Sequence, residues 1–221
     1  MFNIFKIDAD KKKISEYAHT IHNHDMPISE RFAAMLSLRA LSSIESIETL
    51  IMAFEYEIKS DLLRHEICYS LGQMDTSKKN AAIIKRFFEK IILEDHSEFV
   101  RHEAIEALDF VSEDLAMSLL ENFKDQNSGI LYDTYYVKKR YMDWEKETDF
   151  GKSEDLDVDD NKFHSKDPAP FYNYKVDTKY TDIDLLTRIL LDNVNYDLFE
   201  RYRALFTLRE LNTEESLMAI C

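Results

Sequence analysis

A block that begins with arginine recurs four times in this chain, and it constrains the fold more than any other feature. The blocks start at Arg31, Arg64, Arg101 and Arg201, and the first three starts lie 33 and 37 residues apart. Such spacing is typical of helical repeats that stack side by side. The sequence therefore predicts successive helices that pack in register, with one block on each.

Small and apolar residues follow the start of each block with the period of a helix face. The second and third blocks show this most fully, with the stripes Leu63, Ile67, Ser70, Leu71, Met74 and Val100, Ala104, Ala107, Leu108, Val111. With only 3 glycines and 3 prolines in 221 residues, the pattern predicts an all-α protein built as a helical-repeat solenoid. We expect the stripe to be the face by which one repeat packs on the next.

The repeat pattern breaks between residues 143 and 182. The charge run Glu154–Asp160 has little to bury, and Pro168 and Pro170 follow it, where helices usually stop. We therefore predict two repeat sets joined by a linker. The first set, 1–142, holds both histidine-glutamate pairs; 143–182 is an acidic, disordered linker; and 183–221 starts a second, truncated set.

Two of the four blocks carry a histidine-glutamate pair directly after the arginine. These pairs are His65-Glu66 and His102-Glu103, whereas the other blocks have Phe32-Ala33 and Tyr202-Arg203 there. Packing of the repeat therefore does not require histidine and glutamate. Imidazole and carboxylate without thiolate suit non-haem iron, with zinc or manganese as lesser options. The alternative is a solvated histidine beside a surface glutamate that pairs with Arg64 or Arg101.

The predicted helices favour a site shared between two repeats. Adjacent residues of a helix point about 100° apart, so His65 and Glu66 cannot easily aim at one atom but could straddle two ions. Packed helices lie roughly 8–10 Å apart, so His65 and His102 could converge on one ion, with the carboxylates bridging or holding a second. We take His65, Glu66, His102 and Glu103 as candidate metal ligands.

Composition narrows the classes of partner and location. The formal net charge of −15 argues against nucleic acid, which needs a basic surface. A basic protein or a lysine-like side chain fits better, although acidity can also serve solubility. The sequence shows no apolar membrane span and no signal peptide, and its two cysteines, Cys68 and Cys221, make no disulfide framework. We expect a cytoplasmic protein.

Several stretches, in order, resemble the deoxyhypusine hydroxylase (deoxyhypusine monooxygenase) family. The resemblance rests on both histidine-glutamate blocks with their flanks, on the block at Arg31 and on the block at Arg201. It also includes Asp167-Pro168-Ala169-Pro170, and it covers the chain from about Ile28 to its end.

The resemblance implies HEAT-like repeats in two halves around a di-iron centre. The family is an oxidoreductase of hypusine biosynthesis that uses molecular oxygen to hydroxylate deoxyhypusine, a modified lysine on translation initiation factor 5A. Under this resemblance His65 and His102 are iron ligands, and Glu66 and Glu103 either ligate iron or orient the ligands. We expect two Fe²⁺ ions in a complete site and no further catalytic residue.

Two departures from the family pattern leave alternatives open. The family carries four histidine-glutamate pairs and this chain has two, so we expect a fragment, a dimer in which a second chain supplies the missing half, or a protein that is no longer an oxidase. Asp109 stands where the family usually has glycine; it would crowd the iron or point to solvent. The competing functions are a non-catalytic scaffold that binds a basic protein and a zinc site.

Overall fold

The computed structural model describes residues 2–74, 78–126, 128–147 and 167–221, with side chains from residue 11 onward except those of 78 and 79. Within these ranges the regular elements are all helical, which confirms the all-α prediction. The α-helices are α1 (Phe2–His22), α2 (Ile28–Leu41), α3 (Ile44–Tyr56), α4 (Asp61–Gly72), α5 (Lys78–Glu94), α6 (Glu98–Val111), α7 (Glu113–Leu120), α8 (Ile130–Glu147), α9 (Ile183–Leu191), α10 (Leu198–Leu211) and α11 (Glu214–Met218). No described helix is long and apolar enough to cross a membrane.

The chain forms two compact units, Met1–Tyr132 and Asp133–Cys221. In the first unit the blocks lie on α2, α4 and α6, which contact one another in succession, while α1, α3 and α5 contact one another as a second row. The repeat predicted from the block spacing is therefore present. Nine of the ten residues in the two stripes are buried, and Leu63, Ile67, Leu71, Val100, Ala104 and Leu108 have no exposed surface.

The arginine that starts each block ties its helix to the helix before it. The Nε–H groups of Arg31, Arg101 and Arg201 donate to the carbonyls of Ile21, Ile92 and Leu190, at 2.9, 2.7 and 2.8 Å. Those carbonyls lie in the last turns of α1, α5 and α9, where helix carbonyls lack an intrahelical partner and attract positive charge.

The arginine of α4 follows a different pattern. Arg64 pairs with the carboxylates of Asp61 and Asp95 and lies over the ring of Phe54, 4.7 Å from its centroid. In all four blocks the arginine thus makes contacts within its own unit, which explains why this position stays the same while the next two vary.

The second unit is organised around α10. Tyr172, Leu186, Ile189, Ala204 and Leu208 form one buried cluster, and Val137, Ala169 and Phe199 form another. Asp197 begins α10 with a reciprocal cap: its carboxylate accepts from the Glu200 N–H at 2.8 Å, and the Glu200 carboxylate accepts from the Asp197 N–H at 3.0 Å. Such a cap satisfies two helix-end donors at once.

The structure narrows the segment predicted as a linker. Residues 143–147 belong to α8, and the stretch from Asp167 to Asp182 is ordered, with Ala169 and Tyr172 buried and a 3₁₀ turn at Thr178–Thr181. Apolar side chains in this stretch pack against residues of α10. The charge run Glu154–Asp160 lies outside the described residues, so the linker itself stays a prediction.

Candidate metal centre

The two histidines occupy the same place in neighbouring helices. His65 is the fifth residue of α4 and His102 is the fifth residue of α6. The start of α4 is fixed by Ser60, whose hydroxyl accepts from the Leu63 N–H at 3.1 Å. Since α4 and α6 contact each other more extensively than any other pair of described helices, this shared register brings the histidines side by side.

Close approach of α4 and α6 depends on small residues. A Cβ placed on Gly72 would come within 2.8 Å of the Ala107 Cβ and 2.9 Å of its Cα. Any side chain larger than hydrogen at position 72 would push the helices apart. Gly72 therefore serves the centre indirectly, because it sets the helix separation across which the two histidines meet.

Three of the four predicted ligands converge. One ligand atom each of His65, His102 and Glu103 lies within 4.8 Å of the other two. The His65 Nε2 atom is 3.1 Å from Glu103 Oε2, and the two imidazole centroids are 5.9 Å apart. The side chains of His65 and Glu103 are only 14 % and 8 % exposed, whereas the alternative expects a solvated histidine.

This arrangement fits a metal ion. At bond lengths of about 2.0–2.2 Å, the range that imidazole and carboxylate donors make to zinc, two ligand atoms on one ion are at most about 4.4 Å apart. The observed limit of 4.8 Å is met by side-chain shifts well below about 1 Å, since rotation of a carboxylate moves its oxygens by more than that. The donor set is nitrogen and oxygen.

The remaining predicted ligand, Glu66, lies on the outer side of His65. Its Oε1 atom is 3.2 Å from His65 Nδ1, and it does not belong to the three-residue group. In the same way Glu106 Oε1 lies 3.3 Å from His102 Nδ1. Each histidine thus has a carboxylate of its own helix beside Nδ1. A carboxylate in that position fixes the tautomer that leaves Nε2 to bind a metal.

Electrostatics separate the two histidines. Burial lowers the pKa of His102 to about 4, with a further contribution from His65, so His102 is neutral and able to ligate at physiological pH. Burial alone would lower the pKa of His65, but the carboxylates of Glu103 and Glu66 outweigh it and raise that pKa. Burial also raises the pKa of Glu103, against the opposing effect of His65.

The carboxylate of Glu106 also lies beside the group, on α6, and its side chain is 38% exposed. Burial and the charges of Glu103 and Asp109 raise the pKa of Glu106 to about 7. Asp109 is half-buried and lies close enough to Glu106 to raise the pKa of that carboxyl. The sequence had left open whether Asp109 would crowd the metal or point to solvent.

Two features of the site were not predicted from the sequence. The ring of Phe99 stacks on His65, with centroids 4.1 Å apart and planes 11° from parallel. The close contact at Gly72 was also missed. Phe99 lies three residues before His102, one helical turn away, so the spacing could have placed it beside the histidines.

Comparison with known proteins identifies the family. No protein-family model matches the chain. Deoxyhypusine hydroxylase of Drosophila melanogaster is 32% identical over 214 residues, which are 96% of this chain and 64% of that protein. Deoxyhypusine hydroxylase of Debaryomyces hansenii is 30% identical over 226 residues, 97% of this chain and 68% of that protein. This chain belongs to the deoxyhypusine hydroxylase family.

A solved structure of a deoxyhypusine hydroxylase shares the fold. The structure of the human enzyme in complex with glycerol matches with a TM-score of 0.71 at 27% identity, over 97% of this chain and 68% of that chain. The helical-repeat prediction is therefore confirmed, and so is the resemblance to this family. The chain spans 64% of the length of the Drosophila melanogaster deoxyhypusine hydroxylase that it matches.

Proposed function

We propose that this chain binds Fe²⁺ through His65, His102 and Glu103 and takes part in the oxygen-dependent hydroxylation of deoxyhypusine on translation initiation factor 5A. The observation that carries the proposal is the convergence of these three side chains in a member of the deoxyhypusine hydroxylase family. A repeat fold alone does not require it, because α10 keeps the block without the pair.

The donor set supports iron over metals that prefer sulfur. Cys68 lies on α4 but is fully buried, and burial raises the pKa of its thiol well above the usual range. A thiol that stays protonated is a poor ligand. The group therefore offers two imidazole nitrogens and one carboxylate, a set used by iron proteins that activate oxygen.

The proposal assigns a different role to each carboxylate. Glu103 is the ligand, because it is largely buried and lies within reach of His65 Nε2. Glu66 orients His65 through Nδ1. Iron held by these residues would supply the redox chemistry for oxygen-dependent hydroxylation. The protein residues hold the ligands in place and, through their negative charge, attract a protonated side chain.

The number of ions per chain follows from the donors. Among the described residues one group of three converges, which is sufficient for one ion with open coordination positions. A second ion needs further donors, which another copy of the chain could supply in a dimer. We therefore propose one Fe²⁺ per chain at this group.

Iron loading under anaerobic conditions tests the proposal. Iron per chain is measured beside the mass in solution for the unaltered protein and for the His65→Ala, His102→Ala and Tyr202→Ala variants. We expect iron in the unaltered protein and in Tyr202→Ala, which changes the matching position of α10, and loss of iron in both histidine variants. Circular dichroism checks that helix content is kept, and hydroxylation of deoxyhypusine-bearing factor 5A is assayed in each loaded sample.

Other outcomes would favour the competing functions. A well-folded chain that holds no iron contradicts the proposal. Exclusive retention of zinc in a competition with Fe²⁺ would indicate a zinc site. Tight binding of a basic protein that is indifferent to iron and to His65 would indicate a scaffold.

A further inference from the structure

We propose that Phe99 is a positioning residue that increases metal affinity by stacking on the metal-bound imidazole of His65. The inference rests on the proposed function, since it takes His65 as a ligand. Nothing in the family resemblance assigns a role to this position.

The contact is specific in geometry. Phe99 belongs to α6 and His65 to α4, and their rings stack nearly parallel with centroids 4.1 Å apart. The Phe99 ring also lies 6.4 Å from the His102 ring. One side chain thus bridges the two helices at the level of both histidines and covers one face of the His65 ring.

Core packing does not account for Phe99. The residue is 38% exposed, although a large apolar side chain gains most when it is fully buried. The matching position in α4 is Leu62, three residues before His65, and it is 52% exposed. The repeat therefore accepts an aliphatic side chain at this place, and an aromatic ring occurs where it can reach the neighbouring histidine.

Aromatic stacking favours the metal-bound form of His65. A cation bound at Nε2 draws electron density out of the imidazole, and the negative face of a phenyl ring attracts the resulting positive ring. The same stack restricts rotation of the imidazole about its side-chain bonds, which reduces the freedom lost when the metal binds. Both effects act on metal affinity and leave the fold almost unchanged.

Titration with Co²⁺, whose visible absorption reports its coordination, tests the inference. The variants are Phe99→Leu, which keeps an apolar side chain, and Phe99→Trp, which keeps an aromatic face. Leu62→Ala is the matched control on α4. We expect Phe99→Leu to weaken Co²⁺ binding about 3- to 30-fold, with near-normal affinity in Phe99→Trp and Leu62→Ala.

A second measurement needs no metal. In the unaltered protein the His65 ring protons are expected at high field in the NMR spectrum because of the phenyl ring current, and Phe99→Leu removes that shift. Equal Co²⁺ affinity in the unaltered protein and Phe99→Leu would overturn the inference while the proposed function stands. Absence of Co²⁺ and Fe²⁺ binding in the unaltered, folded protein would overturn both.

Discussion

Helices α6 and α10 carry the same block but use its variable positions in opposite ways. Both blocks begin with an arginine that donates to a carbonyl near the end of the preceding helix, Arg101 to Ile92 and Arg201 to Leu190. The next two residues of α6 are His102-Glu103, which face His65 of α4. In α10 they are Tyr202-Arg203, and these make packing contacts within the second unit.

Arg203 occupies the position in the block of α10 that Glu103 occupies in the block of α6. Its Nε–H donates to the Pro170 carbonyl at 3.0 Å. Its guanidinium lies 4.2 Å from the Tyr172 ring centroid and 5.1 Å from that of Trp144. Arg203 therefore holds the stretch around Pro170 and Tyr172 against α10. The same position of the block holds Glu103 in α6 and Arg203 in α10, and the residue type decides which contacts it makes.

The largest expected effect on stability concerns the arginine that starts the block of α2. Arg31 of α2 adds a buried ion pair with Glu57, whose side chain is fully buried. Removing one partner leaves the other charge buried and unpaired, so Glu57→Ala is expected to lower the free energy of unfolding by about 3–5 kcal/mol. Chemical denaturation measures this, with Glu45→Ala on the exposed surface of α3 as control. A loss below about 1 kcal/mol would show that the pair is not important.

The same pair predicts a pH dependence of stability. Burial alone raises the pKa of Glu57, but hydrogen bonds from the Lys59 and Ser60 backbone and the charge of Arg31 outweigh it, so the folded-state pKa is lowered from 4.5. A lowered pKa stabilises the fold above the unfolded value and loses that contribution as pH falls through the folded value. Stability should therefore drop below about pH 4.5 by a larger amount in the unaltered protein than in Glu57→Ala.

Alanine substitutions at the matched positions Glu103 and Arg203 test the comparison of α6 with α10. Arg203→Ala removes a charged hydrogen bond and the contacts of the guanidinium with three aromatic rings, so we expect a loss of about 2–3 kcal/mol in stability with unchanged metal affinity. Glu103→Ala should do the reverse, with loss of metal binding and a smaller change in stability. Denaturation and Fe²⁺ titration of both variants give the answer. Equal effects of the two variants on metal affinity would contradict the division of roles.

Glu106 tests the outer layer of the site. A carboxylate beside His102 Nδ1 orients the ring, and loss of such a group usually costs 10–100-fold in metal affinity. Because the contact is 3.3 Å long, we expect Glu106→Ala to weaken Fe²⁺ binding by about 10-fold, the lower end of that range. Glu98→Ala, an exposed carboxylate of the same helix, should bind iron normally. An equal loss of iron affinity in both variants would indicate that the affinity depends on the net negative charge of α6 and not on the contact between Glu106 and His102.

The helices and the meeting of the two histidines could be predicted from the sequence, and the features that could not be predicted have physical reasons. The stripe predicted α4 and α6 because its period follows helix geometry, and the equal position of the two pairs predicted that His65 and His102 would meet. The division of labour between Glu66 and Glu103 could not be predicted, since it depends on side-chain rotation. Iron, the site assignments and a cytoplasmic location stay predictions.

The packing of the stretch from Asp167 to Asp182 could not be predicted from the sequence, for a different reason. Its charges and prolines suggested disorder, yet Ala169 and Tyr172 are buried against α10. Contacts with a distant part of the chain override local composition, and a single sequence does not show them. The contacts of Arg203 with Pro170 and Tyr172 carry this information, but only once the helix face of Arg203 is known.

Substitution of Arg209 has the smallest expected effect on stability. It compares an ion pair at the surface with the aromatic contacts of Arg203. Arg209 donates to both oxygens of Asp167, at 2.9 and 2.6 Å, and is 43% exposed. Exposed ion pairs contribute little because water screens them, so Arg209→Ala should cost at most about 1 kcal/mol, with 1 M salt reducing the difference. Denaturation at low and high salt measures it beside Arg203→Ala. A loss as large as that of Arg203→Ala would mean that Asp167, and not the aromatic rings around Arg203, holds this stretch on α10.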